Sequence, residues 1–353
     1  MTRPFSLRDV GLVWCLRDRG IALDMQRAML LRSQPLKDAL WSLMPHRPAE
    51  STLTFVWHNA HGSASGFVQV LTCPDRQEWQ VIHLSPWQSD GPSTGAALAA
   101  GLAGVCDLAG RRGAWRVRAG VVAGGWEEDV FRQAGFVPYA REEVYRLPNP
   151  APCAAPACLR PLSPLDAWPL LHLIGQAVPP SVQHAEGLVY GGAETPLFSR
   201  LGVAREQGYV LERGGELMAY AGISHAQQAA WMRFWLHPEA RSSGGDVLRE
   251  AAEAAPCSPV LYCAVRDYQS GLRGPLAGMG ASLVGVQVWL VKHTARPVEC
   301  PRARAALEQR VEPLATPLHP ASETMPMMAG LPARELWTYE CCRRADHCAI
   351  GSD

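Results

Sequence analysis

At 353 residues the chain exceeds the usual size of one domain, so two are expected, each able to bury its own core. Apolar residues make up 48% and charged residues 19%, the proportions of an ordinary globule, and no apolar run approaches the ~20 residues of a membrane span. The 33 basic side chains equal the 33 acidic ones, a balance that argues against nucleic acid or a membrane surface as partner, since both need a positive field.

Taken in order, residues 6–19 read as a helix. Ser6 can cap it, Asp9 completes a capping-box-like arrangement, and Val10, Val13, Trp14 and Leu16 form an apolar stripe. A second helix falls in 34–44, where Leu36, Ala39, Leu40 and Leu43 share one face. Three strands follow, at 53–58, 66–72 and 79–84, joined through His61-Gly62-Ser63 and Pro74-Asp75. A long Ala/Leu/Gly helix at 94–109 leads into a strand at 115–122. Next comes a short helix with Glu127, Glu128 and Asp129 in its first turn, where the helix dipole favours negative charge. Gly135 stops that helix, because glycine takes the left-handed conformation without steric cost, and Phe136–Leu147 is extended.

Residues 148–158 are proline-rich and read as a stiff linker. Beyond them the order returns: a strand at 159–162, a helix at 164–177, and strands at 208–213, 216–223 and 230–236. Gly214-Gly215 is a two-residue hairpin signal. A helix at 246–254, a strand at 260–266, a helix at 272–279 stopped by Gly280 and a strand at 284–292 complete the series. The two strand–helix–strand ends align without a gap at a shift of 145 residues, with Ala119 matching Ala264 and Gly135 matching Gly280. The duplication is therefore carried by the order and length of elements. Independent folding of the two copies is expected, with Ser6–Leu147 surviving proteolysis that cuts in the linker or after Ala295. Residues 296–353 read as a poorly ordered tail with one short helix at 302–309.

The start lacks a signal peptide's basic and apolar regions. Cys15, Cys73, Cys106 and Cys263 lie in apolar segments, where free cysteine behaves as a small hydrophobe, which points to a reducing cytoplasm. Cys341, Cys342, His347 and Cys348 have the wrong spacing for a usual zinc site, so no metal is expected.

A strand, a short helix ending in Ala-Gly-Phe and a final strand resemble the end of a GCN5-related N-acetyltransferase (GNAT) domain, and the element order over about 6–293 resembles two such domains in tandem. The resemblance implies an α/β fold, each domain being a mixed, partly antiparallel sheet flanked by helices. It implies acetyl-CoA in a V between two central parallel strands, its pyrophosphate on the free amides that open the following helix. The family pattern there is Gln or Arg, two residues, Gly, one residue, then Gly or Ala. The second copy is the better match, and the cofactor-binding residues it implies are Leu236, Arg241, Ser242, Ser243, Gly244, Gly245 and Asp246. Asp246 stands where the family has a small residue. Its carboxylate either repels a pyrophosphate, by roughly 1–4 kcal/mol at about 4 Å, or simply serves the helix start. In the first copy Gln88 and Gly91 fit, Ser93 replaces the small residue and Pro92 removes an amide. The tyrosine that reprotonates the departing thiolate in the family is replaced by Phe131 and Leu276. Tyr268, His83 and His237 are polar groups near the expected clefts; no catalytic residue is assigned.

The expectation is thus an acyl-CoA-dependent N-acyltransferase-like protein acting on a small amine or a protein amino group. The competing expectation is a non-catalytic binding or scaffold protein. The Arg241–Gly245 loop favours the first, the missing tyrosines the second.

Overall fold

Arg3 and Asp9 set the first corner. In the computed structural model, which describes residues 2–44, 51–58, 65–73, 77–86, 92–148, 159–188, 205–226, 229–255 and 260–294, Arg3 grips the Asp9 carboxylate with two nitrogens, at 2.7 and 2.6 Å. The same carboxylate accepts from the Ser6 amide at 2.9 Å, which closes the predicted capping box. Arg160 and Asp166 repeat the grip at 2.7 and 2.8 Å, with the Ser163 amide donating at 2.7 Å. Residues 3–9 and 160–166, RPFSLRD and RPLSPLD, share Arg, Pro, Ser and Asp. This repeat is a sequence signal of duplication that element lengths alone did not reveal. Asp9→Ala is expected to cost about 1–3 kcal/mol, because it strands the Ser6 amide and a guanidinium. The Arg3 bond holds the Asp9 carboxyl down to about 2, so this stabilisation is present above the ordinary carboxylate range and fades as pH falls toward 2. Urea denaturation of both proteins at pH 7 and pH 3 checks it.

The first half runs β1 (Thr2–Pro4), α1 (Val10–Leu16), β2 (Ile21–Ala22), α2 (Met25–Leu30), α3 (Pro35–Trp41), β3 (Thr52–His58), β4 (Ser65–Cys73), β5 (Glu78–Ser85), α4 (Pro92–Arg111), β6 (Arg116–Val122), α5 (Trp126–Gln133) and β7 (Val137–Leu147). The second runs β8 (Leu159–Pro161), α6 (Ala167–Ala177), α7 (Pro180–Glu186), β9 (Arg205–Arg213), β10 (Glu216–His225), β11 (Ala230–Leu236), α8 (Gly244–Ala254), β12 (Leu261–Arg266), α9 (Arg273–Gly278) and β13 (Ser282–His293). Every predicted strand and helix within the described residues forms. Gly135 and Gly280 are left-handed at φ 87° and 73°, and both hairpin glycines, Gly214 and Gly215, have positive φ. Sequence periodicity missed β1, β2, α2 and α7, which are too short to show a repeat.

All strands join one sheet in the order β1-β3-β4-β5-β6-β13-β7-β12-β11-β10-β9-β8, with β2 on β5. Pairing is antiparallel except at β5–β6 and β11–β12. The closing strands are exchanged. β13 lies between β6 and β7, both from the first half, and β7 lies between β13 and β12, both from the second. The expectation of independent copies is corrected by this exchange: residues Met1–Val298 form one compact unit, and neither half's sheet is complete alone. The division at 148–158 stands as our proposal for the order of the duplication, and residues 149–158 lie outside the described residues.

Alternate residues face opposite layers. α4 and α5 pack on Phe55, Val68 and Val81, and α8 and α9 on Met232 and Phe234. On the other face α1 and α3 cover Val56 and Phe67, while α6 and α7 cover Tyr220, Trp235 and Trp289. α2 crosses to the second half and packs on Val144, Trp231 and Ala264. Cys73, Cys106 and Cys263 are buried as expected; Cys15 is exposed on the outer side of α1. Among the described residues no helix is long and apolar enough to cross a membrane.

Candidate functional site

Each parallel pair parts into a V. β5 and β6 pair only from Glu78↔Arg116 to Val81↔Ala119, and β11 and β12 only from Ala230↔Leu261 to Met232↔Cys263. Beyond those points the strands diverge and leave main-chain groups without a ladder partner.

In the first V the chain itself supplies partners. A register shift in the β4–β5 pairing leaves Ile82 as an extra residue. The Leu23 amide donates to Ile82 O and the Asp24 amide to Gly120 O, both at 3.0 Å, so one segment bridges both arms. Asp24 adopts φ 71°, and its carboxylate accepts from the Gln26 amide at 3.0 Å and from Gln80 Nε2 at 2.8 Å. The next amide, Met25, donates to Gln287 Oε1 at 3.0 Å. Burial, aided by the charge of Glu142, pushes the Asp24 carboxyl up to about 6. The folded state therefore holds this proton more tightly than the unfolded chain, and stability falls as pH rises from about 4 to 6. Asp24→Asn, which keeps an acceptor and tolerates positive φ, is expected to flatten that slope. It should gain on the order of 2 kcal/mol at pH 7, readable in denaturation curves at pH 4.5 and 7.

In the second V the bridge is a side chain. Gln269 accepts from the Arg266 amide at 3.0 Å, and its amide donates to Phe234 O. β11 then enters a tight helical turn, Pro238–Ser243, that continues directly into α8. The structure brings the sequence-predicted residues together here. Arg241 and Ser242 are exposed; the Arg241 carbonyl accepts from the Gly244 amide, while its guanidinium makes no hydrogen bond among the described residues. Ser243 Oγ accepts from Arg213 at 3.3 Å, and Asp246 pairs along its own helix with Arg249 at 2.8 Å. A Cβ on Gly244 would lie 3.1 Å from Leu236 and from Leu272, and one on Gly245 3.4 Å from Pro275. Close packing thus bears on Gly244, whereas at Gly245 a Cβ would meet Pro275 only in ordinary contact. His237 accepts from the Glu239 amide at 3.2 Å, a turn-forming role.

Phe131 and Leu276 are fully buried core residues. Tyr268 is half-buried, and burial raises its phenol. Gln88 and Gly91, together with Cys341, Cys342, His347 and Cys348, lie outside the described residues, as do the predicted helix at 302–309 and the turns at 61–63 and 74–75. Among the described residues no group of three His, Cys, Asp or Glu side chains could hold a metal.

Between the two Vs lies a buried charge network that sequence reasoning missed. Glu78 pairs with Arg116 at 3.1 Å and Arg118 at 2.6 Å. Arg118 reaches Glu186 at 3.4 Å, and Glu186 also binds Arg266 at 2.9 Å and the Tyr139 hydroxyl at 3.0 Å. Arg266 continues to Glu142 at 2.6 Å, which Gln287 also donates to. Both Arg118 and Arg266 lie 5.6 Å from the centre of the Trp289 ring. Burial opposes ionisation of Glu186, but the two guanidiniums prevail and hold it down to about 2. The legible signal was a pair of arginines at alternate positions, 116 and 118, of an otherwise apolar strand.

No protein-family model matches the chain, and no curated protein matches it by sequence. Solved structures do. A GCN5-related N-acetyltransferase from Sphaerobacter thermophilus is 14% identical, with 84% of this chain and 97% of that one covered and a TM-score of 0.47. A tandem GNAT protein from the clavulanic acid biosynthesis pathway is 17% identical, with coverages of 84% and 98% and a TM-score of 0.45. A GCN5-related N-acetyltransferase from Anabaena variabilis is 9% identical, with coverages of 83% and 72% and a TM-score of 0.42. The chain itself is a mixed α/β protein, a mostly antiparallel sheet flanked by helices, and its halves follow the GNAT-like element order expected from sequence.

Proposed function

We propose an acyl-CoA-dependent N-acyltransferase-like protein in which the second half holds acetyl-CoA and the first does not, acting in the cytoplasm on a small amine or a protein amino group. The contrast between the clefts carries this reading. The first V is crossed by main-chain bonds from Leu23 and Asp24 to both arms, whereas among the described residues the second is crossed by the Gln269 side chain alone. A side chain can turn away and free Phe234 O and the Arg266 amide; a backbone segment held at both ends cannot.

The residues at the start of α8 suit a pyrophosphate. The helix is long enough to carry a dipole and has no side-chain cap; the Gly244 amide is taken by Arg241 O, but the Arg241 guanidinium is uncommitted. Acetyl-CoA supplies an activated acyl carbon for an amine to attack. The chain contributes orientation through the V and leaves reprotonation of the thiolate to water, since Phe131 and Leu276 carry no proton to give. Their complete burial favours the second reading, a non-catalytic acyl-CoA-binding protein.

Calorimetry with acetyl-CoA tests the site. Asp246→Gly removes a repelling carboxylate and costs about 0.3–1 kcal/mol of helix-start stabilisation. Affinity is expected to rise about tenfold, equivalent to ~1.4 kcal/mol, while the melting temperature falls slightly. Arg241→Ala should weaken binding. Absence of binding in all three proteins removes the second half as a cofactor site.

A further inference from the structure

Beside the plugged cleft, α2 and α3 lean over β4 and β5 and leave a cavity of about 30 Å³. A single water needs about 10–15 Å³ on the same measure, so two or three non-hydrogen atoms fit. Its floor is His83 opposite Gln69 on neighbouring strands. His83 is 3% exposed, it stacks on Phe67 at 5.3 Å, and neither of its ring nitrogens has a partner in the protein. A buried polar group left unpaired costs about 1–3 kcal/mol, and such an orphan calls for a missing partner. Burial lowers the imidazole to about 4, so near pH 7 it is neutral and offers one N–H. Gln69 is fixed in place, donating to Pro35 O at 2.7 Å and Thr54 Oγ1 at 3.1 Å.

The mouth carries Arg27, Arg32 and Asp38. Neither guanidinium makes a hydrogen bond among the described residues, and Arg32 is exposed. Two arginines against one aspartate leave the ionised lining at one net positive charge. A neutral donor at the bottom and an excess of guanidinium at the top match an anion with two oxygens on one small centre.

We propose that this cavity binds a small carboxylate of formate size, one oxygen on the N–H of His83 Nδ1, since the Nε2 edge packs against Gly20, and the other toward Arg27 and Arg32. The site shares no residue with Leu236 or the 241–246 turn, so it stands or falls apart from the acetyl-CoA reading. Full-length protein is titrated with sodium formate, and separately with the bulkier sodium acetate, which should bind less well, with chloride exchanged to hold ionic strength, while the His83 ring proton resonances are followed by NMR. The expected result is a saturable shift at millimolar ligand, weakened at least tenfold in the double variant Arg27→Gln, Arg32→Gln. His83→Phe assigns the resonances; if it fails to fold, the arginine variant, altered near the surface, still decides. A shift that does not saturate, or one unchanged in the double variant, overturns the proposal and leaves ordered water as the occupant.

Discussion

Glu186→Ala is expected to lower folding stability by about 3–5 kcal/mol, a large part of the roughly 5–15 kcal/mol a domain commonly possesses. The carboxylate is shared by Arg118, Arg266 and Tyr139 in a largely buried region. Removing it leaves two buried guanidiniums with only Glu78 and Glu142 to answer them, and leaves the Tyr139 hydroxyl without an acceptor. Glu186→Gln keeps the shape and one acceptor and should cost less. The pH dependence has a definite sign. Because the folded-state carboxyl is held down to about 2, its contribution is complete above the ordinary glutamate value and is lost as pH falls from about 4.5 toward 2. Urea denaturation of wild type and both variants at pH 7 and pH 3 should show the gap between them narrowing in acid. An unchanged gap would mean that the network does not hold the halves through this carboxylate.

Cutting the chain between residues 149 and 158 is expected to leave the particle whole. The cut fragments share the β6–β13–β7–β12 ladder, so each retains the other's closing strand. Residues 1–147 produced alone lack β13, whose Val288 and Leu290 are buried in the first half's core. Each such side chain contributes about 1.5–3 kcal/mol, and the gap also exposes edges on β6 and β7 that would otherwise be paired. Size-exclusion chromatography of nicked protein should show one species of undiminished size until denaturant is added. The 1–147 fragment should be unfolded or self-associated until residues 159–298 are supplied. A monomeric, cooperatively folded 1–147 fragment would contradict the exchange.

Local structure was largely legible in the chain because it is set by local chemistry. Gly135 and Gly280 stop helices where they should, and the Ser6–Asp9 box starts one. The exchange of β7 and β13 was not legible, since alternation tells a strand which face to bury but not which neighbour to choose. The same limit hid the plug. Residues 20–25 form a two-residue strand and a positive-φ aspartate, with no period to read, and their meaning comes from Ile82 and Gly120, far away in sequence. The residues proposed from the second-half motif adjoin one another in the turn before α8, but Gly244 is also packed closely against Leu236 and Leu272. A glycine's packing neighbours cannot be inferred from its spacing in a motif.

One cleft is closed by the chain itself, and the other is the one we propose for acetyl-CoA. Amide hydrogen exchange of the intact protein, with and without saturating acetyl-CoA, tests it most directly. The account predicts slowed exchange at residues 234–248 and 266–269, and no change at 20–25, 82–85 or 120–122. Protection appearing in the first V, or at neither V, would contradict it.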